Sequence, residues 1–179
     1  LHSRFRFRRT FALLQKEFEA VETVSMQKDV RRTIHVDAVE NLAKYDRSNG
    51  NILVTGGTGF FGPFLLKSLL EQNREKIYVL VRSDNPEHGM MRLRKAFALV
   101  KATRKIEEHF NQRVIPICGD ISLEKFGLCD EQWRFLAHQT HTIYHNGAQV
   151  NYLLDYGSMR DANVNGTREI LRLALASRH

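Results

Sequence analysis

The chain has 179 residues, about one domain's worth, and its 42% hydrophobic content suffices for a sizeable core. No stretch approaches the ~18 consecutive apolar residues of a membrane span, and no apolar signal core follows Leu1-His2-Ser3. The net charge of +7 raises nucleic acid as a partner, but part of it sits in Arg4-Phe5-Arg6-Phe7-Arg8-Arg9 and the rest is scattered among Glu, with no basic and aromatic stripe, so neither nucleic acid nor membrane is the expected partner.

A first residue other than Met fits an excised piece of a longer protein. Cys118 and Cys129 stand in no metal-type or redox pattern, which fits a reducing, cytoplasmic setting. Residues 1–48 differ in pattern from the remainder of the chain. Phe11 to Phe18 and Asp37 to Lys44 have helical spacing, and Asp46 to Gly50 reads as a polar turn. This stretch is expected to be a helical linker or packing segment for an upstream domain, with a second unit over 49–179.

From Asn51 onward, strands and helices alternate. The expected strands are Ile52–Thr55, Ile77–Val81, Val114–Cys118 and Thr142–His145. The expected helices are Pro63–Gln72, one long helix over about Met90–Phe110, Glu131–His138 and Tyr156–Ser177. Such alternation predicts an α/β fold with a doubly wound, Rossmann-type parallel sheet, of which about four strands are present. Pro116 lacks an N–H, so the third strand should lie at an edge, as it does in the order 3-2-1-4.

The first strand runs into Thr55-Gly56-Gly57-Thr58-Gly59-Phe60-Phe61-Gly62. A glycine turn between a strand and a helix lets the backbone approach a pyrophosphate, which the helix N-terminus then holds. The second strand ends in Arg82-Ser83-Asp84. Arginine suits a 2′-phosphate, whereas a carboxylate suits a free ribose hydroxyl, so Arg82 favours NADP and Asp84 is the competing feature. Arg92 is a second phosphate candidate or a surface arginine. Asp120 can accept from an adenine amino group with Ile121 packed on the ring; alternatively, Asp120 caps the next turn. Asn146-Gly147-Ala148 follow the fourth strand, where small residues admit a nicotinamide ribose. His138, His141 and His145 cross from helix to strand and are not expected to form a metal site. Cys118 is expected in the core as a small apolar residue.

Five ordered blocks resemble the extended short-chain dehydrogenase/reductase superfamily. They are the glycine turn, Leu80-Val81-Arg82, Gly119-Asp120-Ile121, Tyr144 to Asn151, and Asn163-Val164-Asn165-Gly166-Thr167. More closely, they are similar to the thioester reductase domains that end non-ribosomal peptide synthetases, polyketide synthases and carboxylic acid reductases. Fatty acyl-CoA reductases are near relatives and an alternative. The resemblance implies NADP(H) as cofactor and, as partner, an acyl or peptidyl carrier protein with a phosphopantetheine-tethered substrate. By resemblance, Gly56, Gly59 and Gly62 hold the pyrophosphate, and Arg82 and Arg92 the 2′-phosphate. Asp120 and Ile121 would serve the adenine, Asn146, Gly147 and Ala148 the nicotinamide side, and Asn163 would order the site.

The family's chemistry also implies a Tyr-x-x-x-Lys pair, in which the tyrosine donates a proton and the lysine lowers its pKa. None of the five tyrosines has a lysine four positions on; the nearest imitation is Tyr156 with Arg160. No catalytic residue is therefore expected in this chain. It reads as the cofactor portion of a reductase, inactive alone, or alternatively as a non-catalytic NADP(H)-binding module.

Overall fold

The structure, a computed structural model, describes residues 22–32 and 50–177. The helices expected at Phe11–Phe18 and Asp37–Lys44, and residues 46–49 of the polar turn, lie outside the described residues. A helix spans residues 22–30 (α1), a segment whose apolar spacing does not announce one.

Four strands, β1 (Asn51–Thr55), β2 (Ile77–Val81), β3 (Val114–Cys118) and β4 (Thr140–His145), form one parallel sheet in the order β3-β2-β1-β4. β3 is at the edge, and Pro116 lies opposite Val79 there, as its missing N–H requires. Side-chain alternation divides the core in two. Ile52, Val54, Ile77, Val79 and Val81 face a cluster with Leu66, Leu70, Leu93, Phe97 and Phe110. Leu53, Tyr78 and Leu80 face Phe126, Leu136, Ile170 and Leu173 on the other side. A sheet covered on both faces needs apolar residues at successive positions, and β2 is buried throughout.

Helices α2 (Gly62–Gln72), α3 (Pro86–Phe97) and α4 (Arg104–Arg113) supply the first layer; α5 (Asp130–Gln139) and α7 (Gly166–Ala176) supply the second. The single helix expected over Met90–Phe110 is two. The chain leaves α3 after Phe97, and Thr103 caps α4 by accepting the Ile106 N–H at 3.4 Å. The break folds the two helices back so that Phe97 and Phe110 stack, with ring centroids 4.4 Å apart. Arg113 closes the far end of α2, donating to the carbonyls of Asn73 and, at 2.7 Å, Leu70.

The last helix is also interrupted. α6 (Tyr156–Arg160) passes through a π-helical turn, Asp161–Asn165, into α7. α1 docks on its start. Asp29, whose side chain is only 4% exposed, receives Arg160 Nε at 2.5 Å, Arg160 Nη2 at 2.7 Å and the Tyr156 hydroxyl at 2.7 Å. Glu22 accepts the Tyr156 N–H. The nearest imitation of a catalytic pair is therefore a packing clamp. Burial and the neighbouring carboxylate raise the Tyr156 pKa, the opposite of what a proton donor needs. Among the described residues no helix is long and apolar enough to cross a membrane.

Candidate functional site

The carboxyl ends of the strands hold the site residues expected from the sequence. Thr55 ends β1, and Gly56 follows with φ of +71°, where a side chain would also meet the Asn146 carbonyl oxygen at 2.7 Å. The turn closes tightly on itself: a Cβ on Gly62 would lie 2.3 Å from the Gly56 oxygen. The Gly59 N–H donates to that same oxygen at 3.0 Å. Phe61 stands at the N-cap of α2 without a side-chain acceptor, and no acidic residue occupies the first turn. The amides and partial positive charge of this helix end are thus left without a capping side chain. Phe60 and Phe61 project outward, 93% and 57% exposed.

Several expected site residues turn out to organise the backbone. Thr55 is buried and accepts the Gly147 N–H at 2.9 Å. The Asn146 amide donates to the Gly56 carbonyl at 3.2 Å, tying the β4 end to the glycine turn. Asn163, within the π turn, grips the loop after β4 at Gln149: Oδ1 accepts its N–H at 2.7 Å and Nδ2 donates to its carbonyl at 2.9 Å. A π turn shifts the helix register by one residue, which brings Asn163 to that loop and recurs at functional sites. Ala148 is exposed between these two ties.

His145 joins the same network, and nothing in the sequence assigns it this role. Its Nδ1 lies 2.8 Å from Thr55 Oγ1 and its Nε2 lies 3.1 Å from Thr167 Oγ1, while the Thr167 hydroxyl donates to the Asn163 carbonyl at 2.6 Å. Thr167 must then accept from the histidine, so the consistent arrangement is neutral, with the proton on Nε2 and Thr55 donating to Nδ1. Desolvation of the inward-turned nitrogens lowers the His145 pKa, which keeps the ring neutral. With both nitrogens engaged, the ring has no free donor for a metal. Among the described residues no cluster of His, Cys, Asp or Glu is arranged to hold one.

Beyond β2 and β3 lies a cavity of about 640 Å³, lined among others by Arg82, Asp84, His88, Arg92, Asp120 and Phe126. The Arg92 guanidinium donates to the Arg82 carbonyl, which draws the Arg92 side chain to the end of β2, beside Arg82. Among the described residues, neither has a carboxylate within ion-pair distance. Asp120 lines this cavity, and its Oδ1 accepts from the Ser122 N–H at 2.9 Å and hydroxyl at 2.7 Å, so it also caps the next turn. Ile121 departs from expectation. It turns away to pack beside Gly166 and Gly147, and Leu123 occupies the cavity wall. Cys118 is not a core residue either. It lines the cavity and accepts from the Ser83 hydroxyl at 3.2 Å, because the edge strand β3 is covered only in part.

These features fit a dinucleotide: a tight turn against an uncapped helix end, two guanidinium groups without an ion-pair partner among the described residues, and a cavity between them and Asp120.

Comparison with known proteins supports a nicotinamide-nucleotide-binding domain. A linear gramicidin synthase chain of Brevibacillus parabrevis is 44% identical over 126 residues, which is 70% of this chain and 2% of that protein. The L-2-aminoadipate reductase large subunit of Candida glabrata is 41% identical over 128 residues, 69% of this chain and 9% of that protein. Among solved structures, the terminal R domain from the myxalamid PKS-NRPS biosynthetic pathway superposes with a TM-score of 0.73 at 41% identity, covering 87% of this chain and 39% of that one. The chain thus spans well under two thirds of each protein. A model of the NAD-binding family described as male sterility protein matches residues 54–179, and the chain belongs to that family.

Proposed function

We propose that this chain is the cofactor-holding portion of an NADPH-dependent reductase. The whole protein would reduce an acyl thioester, carried on the phosphopantetheine arm of an acyl or peptidyl carrier protein, to an aldehyde or alcohol. The observation that carries the cofactor choice is the pair Arg82 and Arg92, the second bonded to the Arg82 carbonyl at the end of β2, with no carboxylate among the described residues within ion-pair distance of either. A 2′-phosphate supplies the missing charge, which a free ribose hydroxyl does not. The substrate class is supported by the names of the relatives and by the five sequence blocks shared with thioester reductase domains.

In this reading the amides from Gly57 to Gly62 bind the pyrophosphate, with Thr58 and Phe60 at the rim of the turn. Arg82 and Arg92 bind the 2′-phosphate, and Asp120 accepts from the adenine. Asn146 and Thr55 hold the turn in shape, and Asn163 holds the Gln149 loop beside the nicotinamide side. NADPH supplies a hydride when bound. The residues named here orient the cofactor and move no proton. Because no tyrosine has a lysine four positions on, this chain by itself is expected not to oxidise NADPH in the presence of an acyl thioester, and measurable oxidation contradicts that expectation.

The deciding experiment titrates the chain with NADPH and NADH by calorimetry. Tighter binding of NADPH by about tenfold or more is expected from one additional charge-assisted contact. Equal affinities or an NADH preference refute the assignment.

A further inference from the structure

Glu169, on α7, is a buried carboxylate, 6% exposed. A buried carboxylate is costly unless its oxygens are engaged. Its Oε1 accepts Arg172 Nη1 at 2.5 Å within the same helix. Its Oε2 accepts the backbone N–H of Lys125 at 3.0 Å, 44 residues away. Arg172 is half exposed and could meet a carboxylate at the surface. The Lys125 amide is what the inward placement serves.

That amide opens an unusual turn, Glu124–Gly127. Lys125 has φ 49° and ψ 27°, Phe126 has φ 60° and ψ 20°, and Gly127 has φ of +71°. Two successive left-handed residues that are not glycine persist only where their surroundings hold them there. The Phe126 side chain is fully buried, its ring 5.2 Å from that of Trp133. Phe126 N–H donates to Leu123, and Leu128 N–H to Lys125, each at 3.0 Å. The turn has a consequence for the cavity. The Phe126 carbonyl accepts the Asp120 N–H at 2.9 Å, and Leu123, Phe126 and Gly127 form the wall facing Arg82.

We propose that Glu169 is a positioning residue for the adenosine end of the cofactor site: it anchors the left-handed turn that sets Asp120 and the cavity wall. Glu169 does not itself line the cavity. What the cavity holds rests on the function proposed above; the anchoring of the turn does not.

The test compares E169A and E169M, which lose the acceptor, with E169Q and R172A, which keep an acceptor for Lys125. Hydrogen exchange is followed over residues 120–128, and binding is measured for adenosine 2′,5′-bisphosphate and for reduced nicotinamide mononucleotide. In E169A and E169M, exchange should quicken and the bisphosphate should weaken about tenfold, with the mononucleotide changed less than about twofold. E169Q and R172A should stay within about threefold of wild type, so that Gln rescues the role. Unchanged exchange in E169A, equal loss at both ends of the cofactor, or the same defect in E169Q or R172A overturns the proposal. Wild-type protein that takes up no bisphosphate refutes the cofactor reading instead, and the exchange rates then still decide the role of Glu169.

Discussion

Helices α2 and α3 both begin at the carboxyl edge of the sheet, after adjacent strands, and both have proline in the first turn. Their N-termini are treated differently. At α3 the Asn85 side chain accepts the His88 N–H at 2.9 Å, and Glu87 adds a carboxylate to the first turn. α4 and α6 are capped in the same way by Thr103 and Asp155. At α2 the cap is Phe61 and the first turn is free of acid, although Arg113 closes the other end of that helix. The chain completes its helix ends with its own side chains at α3, α4 and α6, and leaves α2 without such a cap. At β2, by contrast, positive charge comes from side chains, Arg82 and Arg92, because the neighbouring helix end is already satisfied.

The most severe way to break this contrast is G62A. Its Cβ would lie 2.3 Å from the Gly56 oxygen and 2.6 Å from the Gly57 carbonyl group, both backbone atoms with little room to move. Loss of more than about 100-fold in NADPH affinity is expected, with a lowered melting temperature, since overpacking costs roughly 1–3 kcal/mol. Next is R82A, which removes one guanidinium and should reduce the NADPH over NADH ratio by about 10- to 100-fold, read by titration of both cofactors. An unchanged ratio would move the phosphate contact to another residue.

F61D gives α2 the cap it lacks. A carboxylate there should stabilise the free chain by about 1 kcal/mol and weaken NADPH about tenfold by competing for the same amides. N85A is its mirror image: it should lower stability by about 1 kcal/mol through loss of the α3 cap and leave NADPH affinity unaltered. Differential scanning calorimetry with and without nucleotide checks both.

The smallest effect concerns α1. Its bond to Arg160, aided by Tyr156, holds the Asp29 pKa at about 2 against an ordinary 3.8, and burial opposes that shift. A depressed carboxylate stabilises the docked state fully above its unfolded pKa and loses that stabilisation as pH falls through the folded one. Release of α1 is therefore expected between about pH 4 and pH 2, and D29N should abolish that pH dependence, as followed by exchange of the 22–30 amides.

The sheet was legible because its signals are local. β2 and β3 are continuous apolar runs between polar breaks, and the proline in β3 indicated its edge. The glycine turn was legible for the same reason. Features set by distant contacts were not. The break between α3 and α4 serves the stacking of Phe97 on Phe110, while the apolar period runs on through it. α1 directs Glu22 and Asp29 inward, so its apolar spacing carries no mark. Glu169 resembles any solvated helix residue until the Lys125 amide is seen, and the left-handed Lys125 and Phe126 carry no sequence mark. Of the candidate site, positions were readable from strand ends. The chain of hydrogen bonds from Thr55 through His145 and Thr167 to the Asn163 carbonyl was not, since it joins the end of β1 to the π turn.

Amide resonances of the isotopically labelled chain on addition of NADPH test most directly whether the open end of α2 receives the cofactor. The N–H signals from Gly57 to Phe61 should shift in a saturable manner, while those at the start of α3 stay in place. Shifts confined to other regions, or none at saturating nucleotide, would contradict the claim that the open end of α2 receives the cofactor.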